Sequence, residues 1–178
     1  MTAPRILPAT MQDVARIADL HAHSWQTTYA HMLPAEHMRD HLIQEHTALW
    51  RERLTRVDDT AMRIWKACPD VANAPLAGFV CALSGGDGIL LDNLHVAAAW
   101  QGQGIGRALF YQVRDWASAV DPKAALYLWV LARNTRARHF YDRLGGRAGA
   151  VHPIAVSPGI ELPALRYVWQ PETTGSRA

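Results

Sequence analysis

The hydrophobic pattern of the chain alternates between segments with helical spacing and short apolar runs that are typical of strands. A helix is predicted to begin at about Val14, because apolar residues then recur every three or four positions as far as Trp25. A second, more polar helical stretch ends near Leu54. Apolar runs predict strands within residues 4–8, 62–67, 76–83 and 89–96.

The second half of the chain continues this alternation. One helical face is predicted to carry Ile105, Ala108, Leu109 and Trp116, and a strand is predicted at residues 126–130. Apolar residues then recur with helical spacing from Ala137 to Leu144, where two glycines end the helix. Residues 147–151 and 162–169 are predicted to be closing strands. The order of elements indicates an α/β fold with a mixed central sheet and helices on both sides.

Composition indicates an ordinary globular protein. The chain has 178 residues, of which 49% are hydrophobic and 19% charged, so we expect a single domain over residues 1–170 and a flexible tail at 171–178. The net charge of +2 suggests neither a nucleic-acid nor a membrane partner. Two cysteines and the lack of a signal-peptide pattern favour a cytoplasmic protein without a disulfide framework.

A glycine-rich segment follows the apolar run Leu94–Val96 and opens the next predicted helix. It reads Gln-Gly-Gln-Gly-Ile-Gly-Arg from Gln101 to Arg107. Glycines let backbone N–H groups approach a ligand closely, and the positive end of a helix favours an anion, so the segment is suited to a pyrophosphate. It is not the dinucleotide fingerprint, which needs glycine at position 107, and the chain has no Walker Gly-Lys-Ser/Thr sequence.

Two motifs together resemble the GNAT N-acetyltransferases. The pattern Gln101-x-x-Gly104-x-Gly106 resembles that family's pyrophosphate-binding signature. Residues 134–146 resemble its second motif, matching at Asn134, Ala137, Phe140, Tyr141, Leu144 and Gly145. Gly146 stands where the family usually has an aromatic residue.

The resemblance implies a mixed, mostly antiparallel central sheet flanked by helices on both faces, and acetyl-CoA as cofactor. It also implies that the cofactor lies against β-strand backbone, the glycine segment and the second motif. The residues expected to bind it are Leu94, His95, Val96, Gln101, Gly102, Gln103, Gly104, Ile105, Gly106, Arg107, Asn134 and Tyr141.

Acetyl transfer to an amine needs a base for the amine and benefits from an acid for the departing thiolate. Tyr141 is the candidate acid, because a phenol is protonated at neutral pH; the alternative is that it packs in the core. Asp92 and His95 are candidate bases, acting directly or through water. Each has a purely structural alternative, as a carboxylate at a strand edge or a packed histidine.

The acceptor site is predicted near the end of the first helix. The resemblance places a substrate wall there, to which Trp25, Tyr29, His31 and Leu33 would contribute; core packing is the alternative for Trp25. His37 and His41 have the spacing of a helical metal pair, but nine histidines make chance pairs common, and we expect no metal.

The predicted function is acetyl transfer to a primary amine of a small molecule or a peptide N-terminus. Direct transfer in a ternary complex is expected, because neither motif contains a cysteine to carry the acetyl group. Two alternatives stay open: a regulatory module that senses acetyl-CoA without turnover, and an acyltransferase that uses another acyl-CoA. A homodimer is also predicted, because residues 162–169 form an apolar strand near one end of the sheet.

Overall fold

The computed structural model describes residues 4–29, 42–56, 60–70, 74–157 and 159–171. The strands, in chain order, are β1 (Arg5–Pro8), β2 (Met62–Cys68), β3 (Gly78–Gly85), β4 (Gly88–Val96), β5 (Leu126–Leu131), β6 (Arg147–Ser157) and β7 (Ile160–Trp169). The helices are α1 (Val14–Tyr29), α2 (Leu42–Thr55), α3 (Ile105–Val120) and α4 (Thr135–Arg143). No helix in the described ranges is long and apolar enough to cross a membrane.

The strands form a seven-stranded sheet in the order β1-β2-β3-β4-β5-β7-β6. Antiparallel pairing joins β1 to β2, β5 to β7 and β6 to β7, whereas β4 and β5 run parallel. The mixed, mostly antiparallel sheet with flanking helices is therefore confirmed.

The chain divides into two compact units. The first comprises Met1–Ala82 and Asn93–Val113, and the second comprises Leu83–Asp92 and Arg114–Ala178. The prediction of a single domain over residues 1–170 stays a prediction. Residues 172–178 of the predicted tail lie outside the described residues.

The first unit packs α1 against α2. Helix α1 buries Val14, Ile17, Ala18 and His21, the face that the helical spacing predicts. Helix α2 buries one residue per turn on the facing side. These residues are Leu42, His46, Trp50 and Leu54.

A buried carboxylate fixes the start of α1. Asp13 is 2% exposed and accepts hydrogen bonds from the Thr10 backbone N–H at 2.9 Å and from Lys66 Nζ at 2.6 Å. Burial alone would raise the pKa of Asp13, but the bonds from Lys66 and Thr10 outweigh it and lower the pKa below 3.8. The Asp13 carboxylate thus accepts from the N-cap residue Thr10, as in a capping box.

Gly78 on β3 allows three elements to approach closely. A Cβ at this position would lie 2.8 Å from the backbone oxygen of His95 on β4 and 3.1 Å from Leu109 of α3. The N–H of Ala97 also donates to the oxygen of Ala77 at 2.9 Å. Together these contacts fix where β4 ends and where the following loop begins.

In the second unit, α4 covers one face of β5 and β7. Tyr141 of α4 lies 5.9 Å from Tyr167 and 5.8 Å from Trp169, centroid to centroid. Trp169 Nε1 donates to the oxygen of Leu144 at 2.8 Å. A Cβ at Gly146 would lie 2.6 Å from the Trp169 ring, so Trp169 occupies the space that a side chain at 146 would need.

Two expectations about element details were wrong. Ala108 is exposed, although its neighbours Ile105, Leu109 and Trp116 are buried, because it lies at the margin of the apolar face. Strand β6 continues to Ser157 rather than ending at 151, because its pairing with β7 resumes after a register shift between Ala148 and Val151.

Replacing Asp13 with asparagine is expected to lower the free energy of unfolding by about 3 kcal/mol, because Lys66 would lose its buried partner. Chemical denaturation at neutral pH measures this loss. The matched control is Glu52→Gln on α2, which breaks an exposed ion pair with Arg56 and should cost less than about 0.5 kcal/mol. The stability that Asp13 contributes should decrease as the pH falls towards its lowered pKa. The reason is that the carboxyl group binds a proton at a higher pH in the unfolded chain than in the folded chain. Equal losses in the two variants would contradict this account.

Candidate functional site

The loop between β4 and α3 is held by its own glutamine side chains. Gln101 Nε2 donates to the oxygen of Val96 at 3.0 Å, and Gln103 Nε2 donates to the oxygen of Ala99 at 3.0 Å. Both side chains are therefore committed to shaping the loop. Any ligand would be bound there mainly through backbone groups.

Two glycines give the loop its shape. Gly102 has φ +76° and Gly104 has φ +82°, a left-handed conformation that favours glycine. A Cβ at either position would meet no atom of the described residues within 4 Å, so the backbone faces open space. The N–H of Ala108 donates to the oxygen of Gly104, and the N–H groups before it belong to a helix start with no intrahelical acceptor. This geometry can bind an anion such as a pyrophosphate.

Arg107 lies in the first turn of α3 and is exposed. Its guanidinium lies 5.4 Å from the centroid of the Tyr111 ring. A cation in a first turn is disfavoured by the helix dipole, so a bound anion would relieve the conflict.

His95 joins a cluster of aromatic rings in the first unit. Its ring centroid lies 4.8 Å from that of His21 on α1 and 5.2 Å from that of Phe79 on β3. His21 in turn stacks on His46 of α2 at 3.7 Å, with 8° between the ring planes. Asn93, two residues before His95, accepts from Arg53 Nη1 of α2 at 2.9 Å. Asn93 and His95 thus share a face, as alternate residues of a strand do.

Hydrogen bonding fixes the tautomer of His21. Trp50 Nε1 donates to His21 Nδ1 at 3.1 Å, so the neutral ring carries its proton on Nε2. His21 Nε2 and His46 Nδ1 are both buried without a hydrogen-bond partner among the described residues.

All three imidazoles are held neutral. Burial, and then the proximity of His95, His46 and Arg53, lower the pKa of His21 far below its usual value. Burial lowers the pKa of His46 to about 4. Burial, together with the neighbouring His46, lowers the pKa of His95 to about 4. His95 is therefore an unprotonated nitrogen base at physiological pH.

The predicted substrate wall is described only in part. The Trp25 ring lies 6.1 Å from His21 and 6.0 Å from His46, so it borders the histidine cluster. Tyr29 is the last residue of α1, and its side chain is not described. His31 and Leu33 lie outside the described residues, as do His37 and His41.

The site contains two residues that no sequence motif indicates, His21 and His46. His21 lies on the buried face of α1, and His46 lies one turn before Trp50 on α2. The spacing of both residues is typical of buried core positions. Their proximity to His95 becomes visible only in the folded structure.

Asp92, the other candidate base, is exposed and belongs to the second unit.

The second unit also contains the matched motif of α4. Asn134 Oδ1 accepts from the N–H of Ala137 at 3.1 Å and so caps the helix. Tyr141 is 7% exposed and packs beside Phe140 at 5.1 Å. The predicted cofactor and catalytic residues are thus divided between the units, and their roles stay predictions.

Comparison with known proteins agrees with both motifs. The sequence model of the Acetyltransferase (GNAT) family matches residues 19–146. A search of curated proteins finds no match.

Solved structures share the fold. The PaiA N-acetyltransferase of Thermoplasma acidophilum, solved with coenzyme A, is 16% identical; the match covers 95% of this chain and 100% of that one, with a TM-score of 0.74. The ribosomal-protein-S18-alanine N-acetyltransferase of Escherichia coli is 18% identical, with 98% of each chain covered and a TM-score of 0.65. Nourseothricin acetyltransferase is 29% identical over 64% of this chain and 68% of that one, with a TM-score of 0.54.

The neutral histidines should make stability depend on pH. Between about pH 6.5 and pH 4, His46 and His95 bind protons in the unfolded chain but stay unprotonated in the folded chain. The free energy of unfolding should therefore fall as the pH falls through this range. In His46→Phe, the free energy of unfolding should fall by up to about 3 kcal/mol less over this pH range than in the wild type. The figure comes from the lowered pKa of His46, at about 1.36 kcal/mol for each unit of pKa difference between the folded and unfolded states. Denaturation at several pH values measures it, with the exposed His23→Gln as control. An unchanged slope in His46→Phe would contradict the burial argument.

Proposed function

The chain belongs to the GNAT acetyltransferase family, and we propose that it transfers the acetyl group of acetyl-CoA to a primary amine. The observation that carries the proposal is the loop before α3. Gly104, a glycine of the motif Gln101-x-x-Gly104-x-Gly106, and the nearby Gly102 are both left-handed and face open space just before the helix begins.

The residues present fit coenzyme A. Backbone N–H groups from Gly102 to Arg107 would hold the pyrophosphate, and Arg107 would add positive charge. Residues 94–96 would lie along the pantetheine arm, together with Asn134 and Tyr141. When bound, acetyl-CoA supplies an acetyl thioester, from which an amine can take the acetyl group.

The cysteines support direct transfer rather than an acetyl-cysteine intermediate. Cys81 is buried on β3, and Cys68 is half-buried at the end of β2. Neither lies in the loop or in the α4 motif. The amine nitrogen would therefore attack the thioester carbon directly, in a complex that holds both substrates.

His95 is one candidate base, because its ring is neutral and can accept a proton. The lowered pKa makes it a weak base towards an ammonium, so the proton would have to leave as the amine attacks the thioester. Asp92, exposed and ionisable, stays the alternative, either directly or through water. Tyr141 would donate its phenol proton to the departing thiolate.

The acceptor is proposed to be a small molecule or a peptide N-terminus. Trp25 beside the histidine cluster offers an aromatic surface for such an amine. Two structural neighbours are named for what they acetylate, which is nourseothricin in one case and an alanine of ribosomal protein S18 in the other. We also propose a cytoplasmic location, because Cys68 and Cys81 are thiols rather than disulfide-bonded. A homodimer is proposed as well.

Acetyl-CoA should raise the melting temperature by several degrees, since a ligand at about 100 times its Kd adds about 2.7 kcal/mol. Gly104→Ala should abolish this shift by straining the loop. Gly159→Ala is the matched control, because Gly159 also has a positive φ (+74°) and open space but lies in the turn between β6 and β7. Differential scanning fluorimetry gives the readout. No shift in the wild type, or equal losses in both variants, would defeat the cofactor assignment.

Tyr141→Phe should lower kcat at least about tenfold and leave the acetyl-CoA melting shift intact, because a general acid contributes about a hundredfold or more. Release of free CoA across an amine panel measures turnover. Phe140→Leu, in the adjacent position of α4, tests whether altered packing alone has this effect. Unchanged turnover in Tyr141→Phe would remove the acid role.

The same assay separates the two alternative functions. Acetyl-CoA binding without turnover on any amine would favour a sensor. Faster turnover with propionyl- or succinyl-CoA would favour another acyl donor.

A further inference from the structure

A groove of about 460 Å³ lies on one face of β5, β6 and β7, and no residue assigned to acetyl transfer lines it. Its lining includes Trp129, Arg147, His152, Arg166 and Val168. Its volume is in the range of small-molecule sites, which span about 300–1,000 Å³.

Strand register brings the groove's side chains together. Trp129 of β5 pairs with Arg166 of β7, and Tyr127 pairs with Val168. Directly paired residues share a face, so these four side chains form one surface. Trp129 is 37% exposed, an unusual position for an indole on a central strand.

An irregularity in β6 lies in the wall of this groove. The pairing of β6 with β7 shifts register between Ala148 and Val151. A Cβ at Gly149 would lie 3.4 Å from the oxygen of Arg166, so this part of β6 is in contact with β7. A bulge of this kind bends the strand and re-aims its side chains.

The groove is cationic. The Arg166 guanidinium lies 4.0 Å from the centroid of the Tyr127 ring, and its Nε is buried without a hydrogen-bond partner among the described residues. Arg147 pairs with Val168 at the edge of the same groove. No carboxylate is among the residues that line the groove, and none of the ion pairs between described residues involves Arg147 or Arg166.

An aromatic wall accompanies the charge. The ring of His152 meets that of Trp129 edge-on at 6.1 Å, with 90° between the planes. This contact supports the indole while leaving it partly exposed for a flat ligand to stack on.

We propose that this groove binds a small aromatic anion, a planar ring that carries a carboxylate or a phosphate. Arg166 and Arg147 would bind the oxygens, and Trp129 would stack on the ring. Arg166 is already oriented by Tyr127, so little side-chain freedom is lost on binding. The proposal is independent of acetyl transfer and requires neither acetyl-CoA nor turnover.

The test follows the indole N–H resonance of Trp129 in the full chain by NMR, assigned with Trp129→Phe. Benzoate and phenyl phosphate at millimolar concentration separate the carboxylate from the phosphate ligand. We expect at least one of them to shift this resonance. Arg166→Gln and Arg147→Gln should each weaken binding about tenfold, the effect of losing one charge-assisted hydrogen bond. Arg143→Gln, an exposed arginine on α4, is the matched control and should bind as the wild type does.

Three results would overturn the proposal. An equal shift with benzyl alcohol or with inorganic phosphate in place of the aryl anion would show that the groove does not recognise ring and charge together. Binding that survives both groove substitutions would place the ligand elsewhere. A Trp129 resonance that responds to protein concentration, and not to the aryl anions, would show that a second copy of the chain covers the groove.

Discussion

The missing side chain at Gly78 is the constraint on which the candidate site depends. It lets the backbone of β4 and a leucine of α3 meet β3 at distances that a Cβ would not permit. Close packing of this kind leaves little room for the end of β4 to move. The loop between β4 and α3 therefore starts from a fixed point, and its glycines can present backbone N–H groups in a defined direction.

The local parts of the fold could be predicted from the sequence. The strand before Gln101, the glycine loop and the helix after Asn134 each have a signal within a few neighbouring residues. The histidine cluster could not be predicted in this way. It unites residues from α1, α2 and β4 that are far apart in the chain, and their spacing matches that of ordinary core positions. The wall of the groove also contains a register shift in β6 that no residue pattern indicated.

Gly146 shows how a departure from a family pattern can be compensated. The motif usually has an aromatic residue there, and this chain has none. The ring of Trp169 from β7 occupies the adjacent space, and its indole N–H bonds to the end of α4. Aromatic packing around Tyr141 is thus retained, with the ring supplied by a distant strand.

The position of β7 has a consequence for how the protein is made. In the sheet β7 lies between β5 and β6, yet it follows both along the chain. During synthesis β5 and β6 therefore emerge with unpaired edges and wait for the strand that joins them. Such late, non-local pairing slows folding and leaves strands exposed to other chains. The ribosome must release Trp169 before the aromatic surroundings of Tyr141 can assemble.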